Sequence, residues 1–272
     1  MSLVTFASAR GAPGVSTVAL STAAVWPTAD GRRKVLVEVD PAGGVVGLRL
    51  GRGEDPGLVS LAASARHGLD RTTLWDHAQE LPGGLAVVPG PASASVAGQV
   101  LASTGVRLGE WLAGLEDVDV IADAGRLTGI SPALGFVAAS NLVVVVAKPV
   151  VDQLHAGAEQ ASALVARGVR VGWCLVGDGP YRPAAIEAAY GIDVWGAIPR
   201  DSRGAGLMFS GAPAKKLART PLVRSASSLA THLHGWLHRP VPQPEPLPPP
   251  SVPVDPAGGP VDAEREAGAV ES

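Results

Sequence analysis

The chain has 272 residues, of which 46% are hydrophobic, and a formal charge of -3. This is enough for one α/β domain with a sizeable core and a tail, and the charge does not indicate a dedicated nucleic-acid binder, although a local basic patch stays compatible with it. The single cysteine, Cys174, excludes an intrachain disulfide and a cysteine-based metal cluster within one chain.

The first residues lack the charged-then-apolar order of a secretion signal. No later stretch reaches the roughly 18 uninterrupted apolar residues of a transmembrane segment. We therefore expect a soluble, cytoplasmic protein.

Continuous apolar runs bounded by turn residues predict buried parallel strands. Stretches with helical spacing lie between them, as in the apolar series from Val151 to Val165. This alternation predicts an α/β fold with a doubly wound, mostly parallel sheet flanked by helices. The predicted strands are 2–8, 34–39, 118–122, 142–147 and 169–175, with a shorter one at 193–198.

Residues 51–115 break the regular alternation of strands and helices. They contain two predicted helices, at 57–67 and 92–103, and an apolar strand-like piece at 84–88. We interpret them as an elaboration between strands and not as a second domain.

An amphipathic segment, 225–238, ends the apolar part of the chain. It places Leu229, Leu233 and Trp236 on one face, which indicates a final helix packed on the sheet. The alternative, a membrane-surface helix, is disfavoured because few basic residues flank the segment. From Pro240 onward the chain holds ten of its 24 prolines, so we predict a domain over 1–239 and a disordered tail over 240–272.

A glycine-containing loop follows the first strand and precedes an apolar helical run. It reads R-G-A-P-G-V-S-T over residues 10–17. Glycines let backbone N–H groups point into one concavity, and the following helix N-terminus adds partial positive charge, so such a loop can hold a di- or triphosphate. A hydroxyl at Ser16 or Thr17 can then ligate Mg²⁺. The predicted cofactor-binding residues of the loop are Gly11, Ala12, Pro13, Gly14, Val15, Ser16 and Thr17.

Two aspartates follow other strands. Asp40 ends the run V-L-V-E-V-D and precedes P-A-G-G, and Asp123 ends D-V-I-A-D before A-G-R. Taken alone, Asp40 also suits a helix N-cap or a turn. All three segments lie at the carboxyl ends of predicted strands, where doubly wound sheets bind ligands.

The three segments together resemble the MinD/ParA family of P-loop ATPases, whose loop reads K-G-G-x-G-K-[ST]-T. The resemblance covers about residues 2–238 and implies ATP or ADP and Mg²⁺ as cofactors. It implies Ser16 and Asp123 as magnesium ligands and Asp40 as the residue that positions the attacking water. Arg10 takes the place of the signature lysine that reaches across a dimer, and Pro199, in V-x-G-x-I-P-R-D, lies beside the base.

Val15 replaces the phosphate-binding lysine of the family. A valine cannot stabilise charge on the transferred phosphate, so we expect ATP hydrolysis to be weak or lost. Lys148 and Arg126 are candidates to replace the missing cation, although a solvated surface lysine is the simpler interpretation of Lys148.

The resemblance implies a nucleotide-dependent homodimeric switch that positions or recruits partners in chromosome partitioning, septum placement, or secretion and appendage assembly. One alternative is a degenerate pseudo-ATPase that acts as a protein-interaction module, which Val15 favours. A second is a metabolic P-loop ligase of the dethiobiotin-synthetase kind, which Val15 disfavours. Cys174 lies in an apolar strand and is interpreted as a core residue.

Overall fold

The computed structural model describes residues 2–11, 14–28, 31–66 and 68–237. Within them, eight strands form one sheet. Their bounds are β1 Ser2–Ser8, β2 Arg33–Glu38, β3 Gln79–Glu80, β4 Ala86–Val88, β5 Val118–Arg126, β6 Leu142–Ala147, β7 Arg170–Val176 and β8 Val194–Ile198.

The strand order is β3-β4-β2-β5-β1-β6-β7-β8. Neighbouring strands run parallel, except that β3 and β4 pair antiparallel at one edge. The predicted doubly wound, mostly parallel sheet is confirmed. Within residues 51–115, β3 and β4 extend this same sheet, which fits the predicted elaboration between strands; the division into domains stays a prediction.

Helices cover both faces of the sheet. Their bounds are α1 Val15–Ala24, α2 Val46–Arg49, α3 Leu58–Ser64, α4 Thr73–Asp76, α5 Ala94–Ala113, α6 Leu134–Ala138, α7 Val151–Val165, α8 Pro183–Tyr190, α9 Ser202–Phe209, α10 Ala214–Leu217 and α11 Pro221–Leu237. The largest differences from the predicted boundaries are that α5 continues ten residues beyond 103, that β5 continues past 122 to Arg126, and that α11 begins at Pro221 and not at 225. The other predicted boundaries shift by at most three residues.

The strands are buried on both faces, so the core has two halves. Leu3 and Ala7 of β1 pack with α3, α5 and α7, whereas Val4 and Phe6 pack with α1 and α11. This two-residue alternation is the pleat of a strand that is covered on both sides. The predicted final helix is confirmed as α11, whose Leu229 and Leu233 are buried in the second half of the core.

Cys174 lies in β7 and is fully buried. Burial disfavours the thiolate and raises the pKa of the thiol to about 12. The thiol is therefore unreactive in the folded state, as expected for a core residue.

A buried aspartate connects the amino ends of β1 and β5. Asp119 is 3% exposed and accepts hydrogen bonds from Ser2, from Trp26 Nε1 at 2.9 Å and from Arg32 at 2.7 Å. Burial opposes ionisation of Asp119, but the hydrogen bonds from Arg32, Ser2 and Trp26 outweigh it, and the pKa of this carboxyl is lowered.

The predicted tail, 240–272, lies outside the described residues, so the boundary near 239 stays a prediction. Within the part of the chain that the structure describes, no helix is both long and apolar enough to span a membrane.

Candidate functional site

Three neighbouring strands bring the predicted site residues together. β5 lies between β1 and β2, and all three run parallel. In this register Asp123 of β5 pairs with Phe6 of β1 and with Glu38 of β2. The loops that follow the three strands therefore meet at the carboxyl edge of the sheet, which is where doubly wound folds bind ligands.

The loop after β1 turns directly into α1. Gly11 and Gly14 have φ angles of 70° and 100°, a region that only glycine enters freely. Because α1 begins at Val15, its first turn presents backbone N–H groups that have no acceptor within the helix, an arrangement that suits an anion. Arg10 is exposed at the start of the loop. Ala12 and Pro13 lie outside the described residues.

Val15, which the resemblance predicts to replace a phosphate-binding lysine, is a core residue. It is 6% exposed and packs in the half of the core that contains α1 and α11. The side chain thus contributes apolar packing and no charge at the loop.

Asp123 is the most deeply buried carboxylate of the site, at 1% exposure. Burial raises its pKa to about 7, hydrogen bonds from the Ser16 hydroxyl and the Gly125 N–H favour the ionised form, and the charges of Asp40 and Glu38 raise the pKa further. The Gly125 N–H donates to Oδ1 at 3.0 Å. Ser16 and Asp123 therefore lie side by side, although Ser16 belongs to α1 and Asp123 belongs to β5.

A hydroxyl next to a carboxylate fits a magnesium ion that takes its other ligands from phosphate and water. The described residues contain no group of three or more His, Cys, Asp or Glu side chains that could enclose a metal ion by themselves. The donors present thus suit Mg²⁺ delivered with a nucleotide, and not a permanent protein-only metal site.

Asp40 lies directly against the chain beside Asp123. Its carboxylate occupies the space where a side chain at Gly125 would be, so any larger residue at position 125 would collide with it. Oδ1 also accepts from the Ala42 N–H at 2.7 Å, which is the turn-forming role. Burial raises the pKa of Asp40, the Ala42 hydrogen bond partly offsets this, and the charge of Glu38 adds to it.

Glu38 is a site residue that sequence reasoning missed. It is 2% exposed, and its Oε1 accepts from the N–H groups of Val45 and Val46, both at 2.7 Å. It therefore fixes the start of α2 behind Asp40. The signal in the sequence was a charged residue inside the otherwise apolar run V-L-V-E-V.

Gln153 of α7 is a second residue that was missed. It is 9% exposed, its Oε1 accepts from the backbone N–H of Lys148 at 2.9 Å, and a Cβ on Gly11 would come within 2.8 Å of its Nε2. Gln153 therefore holds the end of β6 against the loop. A single polar residue at the start of a helix gave no sign of this contact.

Pro199 lines a cavity of about 150 Å³ next to the loop. Gly14 and Thr17 form one wall, and Ser202 and Ala205 of α9 form another. Lys148 and Arg126 are both exposed at the same edge of the sheet, so their replacement of the missing cation stays a hypothesis.

No protein-family model matches the chain, and no curated protein sequence matches it. The chain does match solved structures in fold. They include the septum site-determining protein MinD from Pyrococcus horikoshii complexed with Mg-ADP, with 18% identity over 87% of this chain and 97% of that chain and a TM-score of 0.70.

The cell division ATPase MinD from Pyrococcus furiosus gives 20% identity over 86% and 99% of the two chains and a TM-score of 0.70. A ParA family ATPase from Chlorobium tepidum gives 20% identity over 85% and 99% and a TM-score of 0.69. At these identities the likeness shows a shared fold, and this chain spans nearly the full length of each of these structures.

Proposed function

We propose that this protein, which has the fold of MinD and ParA-family ATPases, binds ATP and ADP with Mg²⁺ and acts as a nucleotide-dependent dimerising switch. The observation that carries the proposal is the convergence of three segments that are far apart in sequence. The Ser16 hydroxyl of α1 lies close enough to Asp123 to lower its pKa, and Asp40 lies against Gly125. A similar structure, MinD from Pyrococcus horikoshii, is complexed with Mg-ADP, which supports the choice of ligand.

Each residue has a distinct role in the proposed site. The N–H groups of Gly11, Gly14 and the first turn of α1 hold the phosphates, and the cavity at Pro199 accepts the base. Ser16 and Asp123 hold Mg²⁺, which when bound neutralises charge on the phosphates. Asp40 orients the water that attacks the terminal phosphate.

Binding is proposed to depend strongly on magnesium and hydrolysis to be slow. Glu38, Asp40 and Asp123 place three carboxyl groups near the loop, and Val15 supplies no compensating cation. Without a metal ion, the phosphates would meet net negative charge. With one, the nucleotide is bound but its transition state still lacks the lysine contact.

Exposed apolar side chains at the same edge support dimerisation there. Leu48 follows β2 and is 62% exposed, Ile130 follows β5 and is 93% exposed, and Val151 follows β6 and is 44% exposed. A second subunit that covers this edge would bury them together with the nucleotide and bring Arg10 close to the partner's phosphates. The switch would then recruit or position a partner, in chromosome partitioning, septum placement or the assembly of secretion systems or appendages.

The second candidate is a pseudo-ATPase that serves as a protein-interaction module in the cytoplasm. The burial of Val15 in the core favours it. In that case the exposed apolar edge is a permanent docking surface that needs no nucleotide.

Calorimetric titration of the full chain with ATP distinguishes the two. We expect micromolar binding with Mg²⁺ and much weaker binding in chelator. Ser16→Ala should weaken binding about tenfold or more in Mg²⁺ and little in chelator, because it removes a metal ligand, whereas Ser21→Ala, which removes a hydroxyl from the same helix away from the loop, should leave binding unchanged. No binding at millimolar nucleotide would establish the interaction module.

Light scattering after size exclusion tests dimerisation. We expect wild type and Val106→Asp to dimerise in Mg-ATP, and Ile130→Asp to stay monomeric. Val106 is the matched control because it is 55% exposed but lies on α5, away from the carboxyl edge. Equal behaviour of the two variants would show that the dimer, if formed, uses another surface.

A further inference from the structure

A second cavity, of about 220 Å³, lies away from the carboxyl edge. Its walls are α1, the amino end of β2, the turn between β3 and β4, and the region from α9 to the start of α11. It is larger than the engineered apolar cavities of about 150 Å³ that bind benzene. Its larger side chains include Leu20, Leu50, Leu81, Met208, Leu217 and Val223.

Lys34 is the charged residue of this lining, and the other residues that line the cavity are apolar, glycine or proline. Its Nζ donates to the carbonyl oxygens of Ala24 at 2.9 Å and Trp26 at 3.1 Å. These bonds satisfy carbonyl groups at the end of α1. An ammonium has three N–H donors, so one donor is left without an acceptor among the described residues.

Among the described residues, Lys34 forms no ion pair. The group is half-buried, and burial lowers the pKa of its ammonium. A role as a helix cap explains the two carbonyl contacts, but it explains neither the cavity nor the third donor. An anion in the cavity would complete the hydrogen bonds of Lys34 and compensate its charge.

We infer that this cavity binds a small apolar molecule that carries one carboxylate. The apolar walls contact the body of the molecule, and the Lys34 ammonium donates a hydrogen bond to the carboxylate at the rim. A phosphate is disfavoured, because a more strongly hydrated and more highly charged group would lose its water for a single donor.

The cavity also shares its walls with the proposed nucleotide site, so the ligand would regulate that site; this part rests on the proposed function. Thr17 of α1, Ala205 of α9 and Leu222 of α11 line the cavity at Pro199. Further along the same three helices, Leu20, Met208 and Val223 line the second cavity. A shift of any of these helices on ligand binding changes both cavities.

The test uses 3-phenylpropionate and its neutral analogue 3-phenylpropanol, titrated into the full chain at neutral pH without nucleotide. We expect saturable one-site binding of the carboxylate in the millimolar range or tighter. The alcohol should bind about ten- to hundredfold more weakly, as expected for the loss of a hydrogen bond between charged groups. Equal binding of both probes, or no binding of either, would overturn the inference.

Three variants locate the site. Lys34→Met keeps the length of the side chain and should lower affinity for the carboxylate to that for the alcohol. Ala218→Phe keeps Lys34 but fills the cavity, so it should abolish binding of both probes. Lys215→Met, an exposed lysine on α10 outside the lining, should change nothing; if it weakens binding as much as Lys34→Met does, the site lies elsewhere.

Regulation is tested by titrating Mg-ATP with and without saturating 3-phenylpropionate. The expected result is a change in ATP affinity, matched by an equal change in 3-phenylpropionate affinity when ATP is present. Independent binding of the two ligands would overturn the regulatory part alone. Absence of ATP binding, with 3-phenylpropionate still bound, would overturn the proposed function and leave the second site standing.

Discussion

Val15 affects both the stability of the fold and the binding of nucleotide, and a substitution should change the two in opposite directions. The valine packs in the core, so Val15→Lys should lower the free energy of unfolding by about 1 to 3 kcal/mol, as for other disturbances of a packed core. The new ammonium should at the same time raise ATP affinity and hydrolysis, because it supplies the missing charge near the terminal phosphates. Calorimetry, a phosphate-release assay and urea unfolding measure the three quantities.

Val15→Met is the control for this prediction. It removes the same branched side chain and adds a long one without charge, so the free energy of unfolding should fall by a similar amount or less, and nucleotide affinity should stay as in wild type. A gain in ATP binding with methionine would show that loop geometry, and not charge, limits this site.

Asp119 and Asp117 lie on the same segment but differ in burial. The Arg32–Asp119 ion pair is 2.7 Å long with 4% of the Asp119 side chain exposed, whereas the side chains of Arg71 and Asp117 are 68% and 75% exposed. Asp119→Asn should lower the free energy of unfolding by on the order of 2 to 3 kcal/mol. This is less than the loss on breaking a fully buried ion pair, because 22% of the Arg32 side chain is exposed. Asp117→Asn should cost about 0.5 kcal/mol or less.

The pH dependence follows from the lowered pKa of Asp119. The stabilisation by the folded carboxylate is fully present above its unfolded pKa of about 3.9 and is lost as the pH falls through the lower folded pKa. In urea unfolding, the stability difference between wild type and Asp119→Asn should therefore shrink below about pH 4. A constant difference down to pH 3 would show that shape, and not charge, determines the effect.

Site residues were predictable where their role belongs to a local motif. Asp40 and Asp123 each end an apolar run before glycine, so their sequence neighbours place them at strand ends. Glu38 stands out in the sequence only as a charged residue in an apolar run, and Gln153 does not stand out at all. Their roles depend on contacts with Val46 of the following helix and with Gly11 of a distant loop. Those contacts exist only once the sheet is assembled.

Long strands and helices were predictable from the sequence, whereas the shortest ones were not. The buried strands stand out as apolar runs because a parallel strand is covered on both faces. β3 has two residues, and α2 and α4 have four each, too few for any periodic pattern. The end of α5 was missed because its second half contains several polar residues and two glycines, Gly105 and Gly109, which pack closely on α6.

Two helical glycines should respond oppositely to alanine. A Cβ on Gly157 of α7 would come within 2.5 Å of the Trp173 ring, so Gly157→Ala should destabilise by about 1 to 3 kcal/mol despite the better helix former. A Cβ on Gly98 of α5 would meet its nearest atom at 3.9 Å, an ordinary contact, so Gly98→Ala should stabilise by about 0.5 to 1 kcal/mol. Urea unfolding of both variants measures the two effects; a loss of stability in Gly98→Ala would contradict the packing argument.

At the scale of the whole molecule, the predicted domain boundary implies that the tail is dispensable for folding. In the part of the chain that the structure describes, both halves of the core are already complete enough to bury the sheet on both faces, and the second half extends to Leu237. A chain that ends at Arg239 should therefore keep the wild-type free energy of unfolding within about 0.5 kcal/mol.

A chain that ends at Ser228 is the matched control for this truncation. It lacks the buried Leu229 and Leu233 of α11. Its free energy of unfolding should therefore fall by several kcal/mol, because each large buried side chain removed costs about 2 to 5 kcal/mol. Destabilisation of the longer chain would place part of the tail in the fold.

The buried thiol of β7 can report how often the folded protein opens. Cys174 is the chain's single cysteine and fully buried, so an alkylating reagent reaches it only when the sheet opens at β7, which lies next to the edge strand β8. The labelling rate then reports how often the fold opens at β7, and a ligand that must leave before this opening slows labelling by a factor set by its concentration and Kd. Ligand binding in either cavity can thus be followed as a slower labelling rate of Cys174, measured by mass spectrometry on the unmodified chain without a dye or an engineered residue.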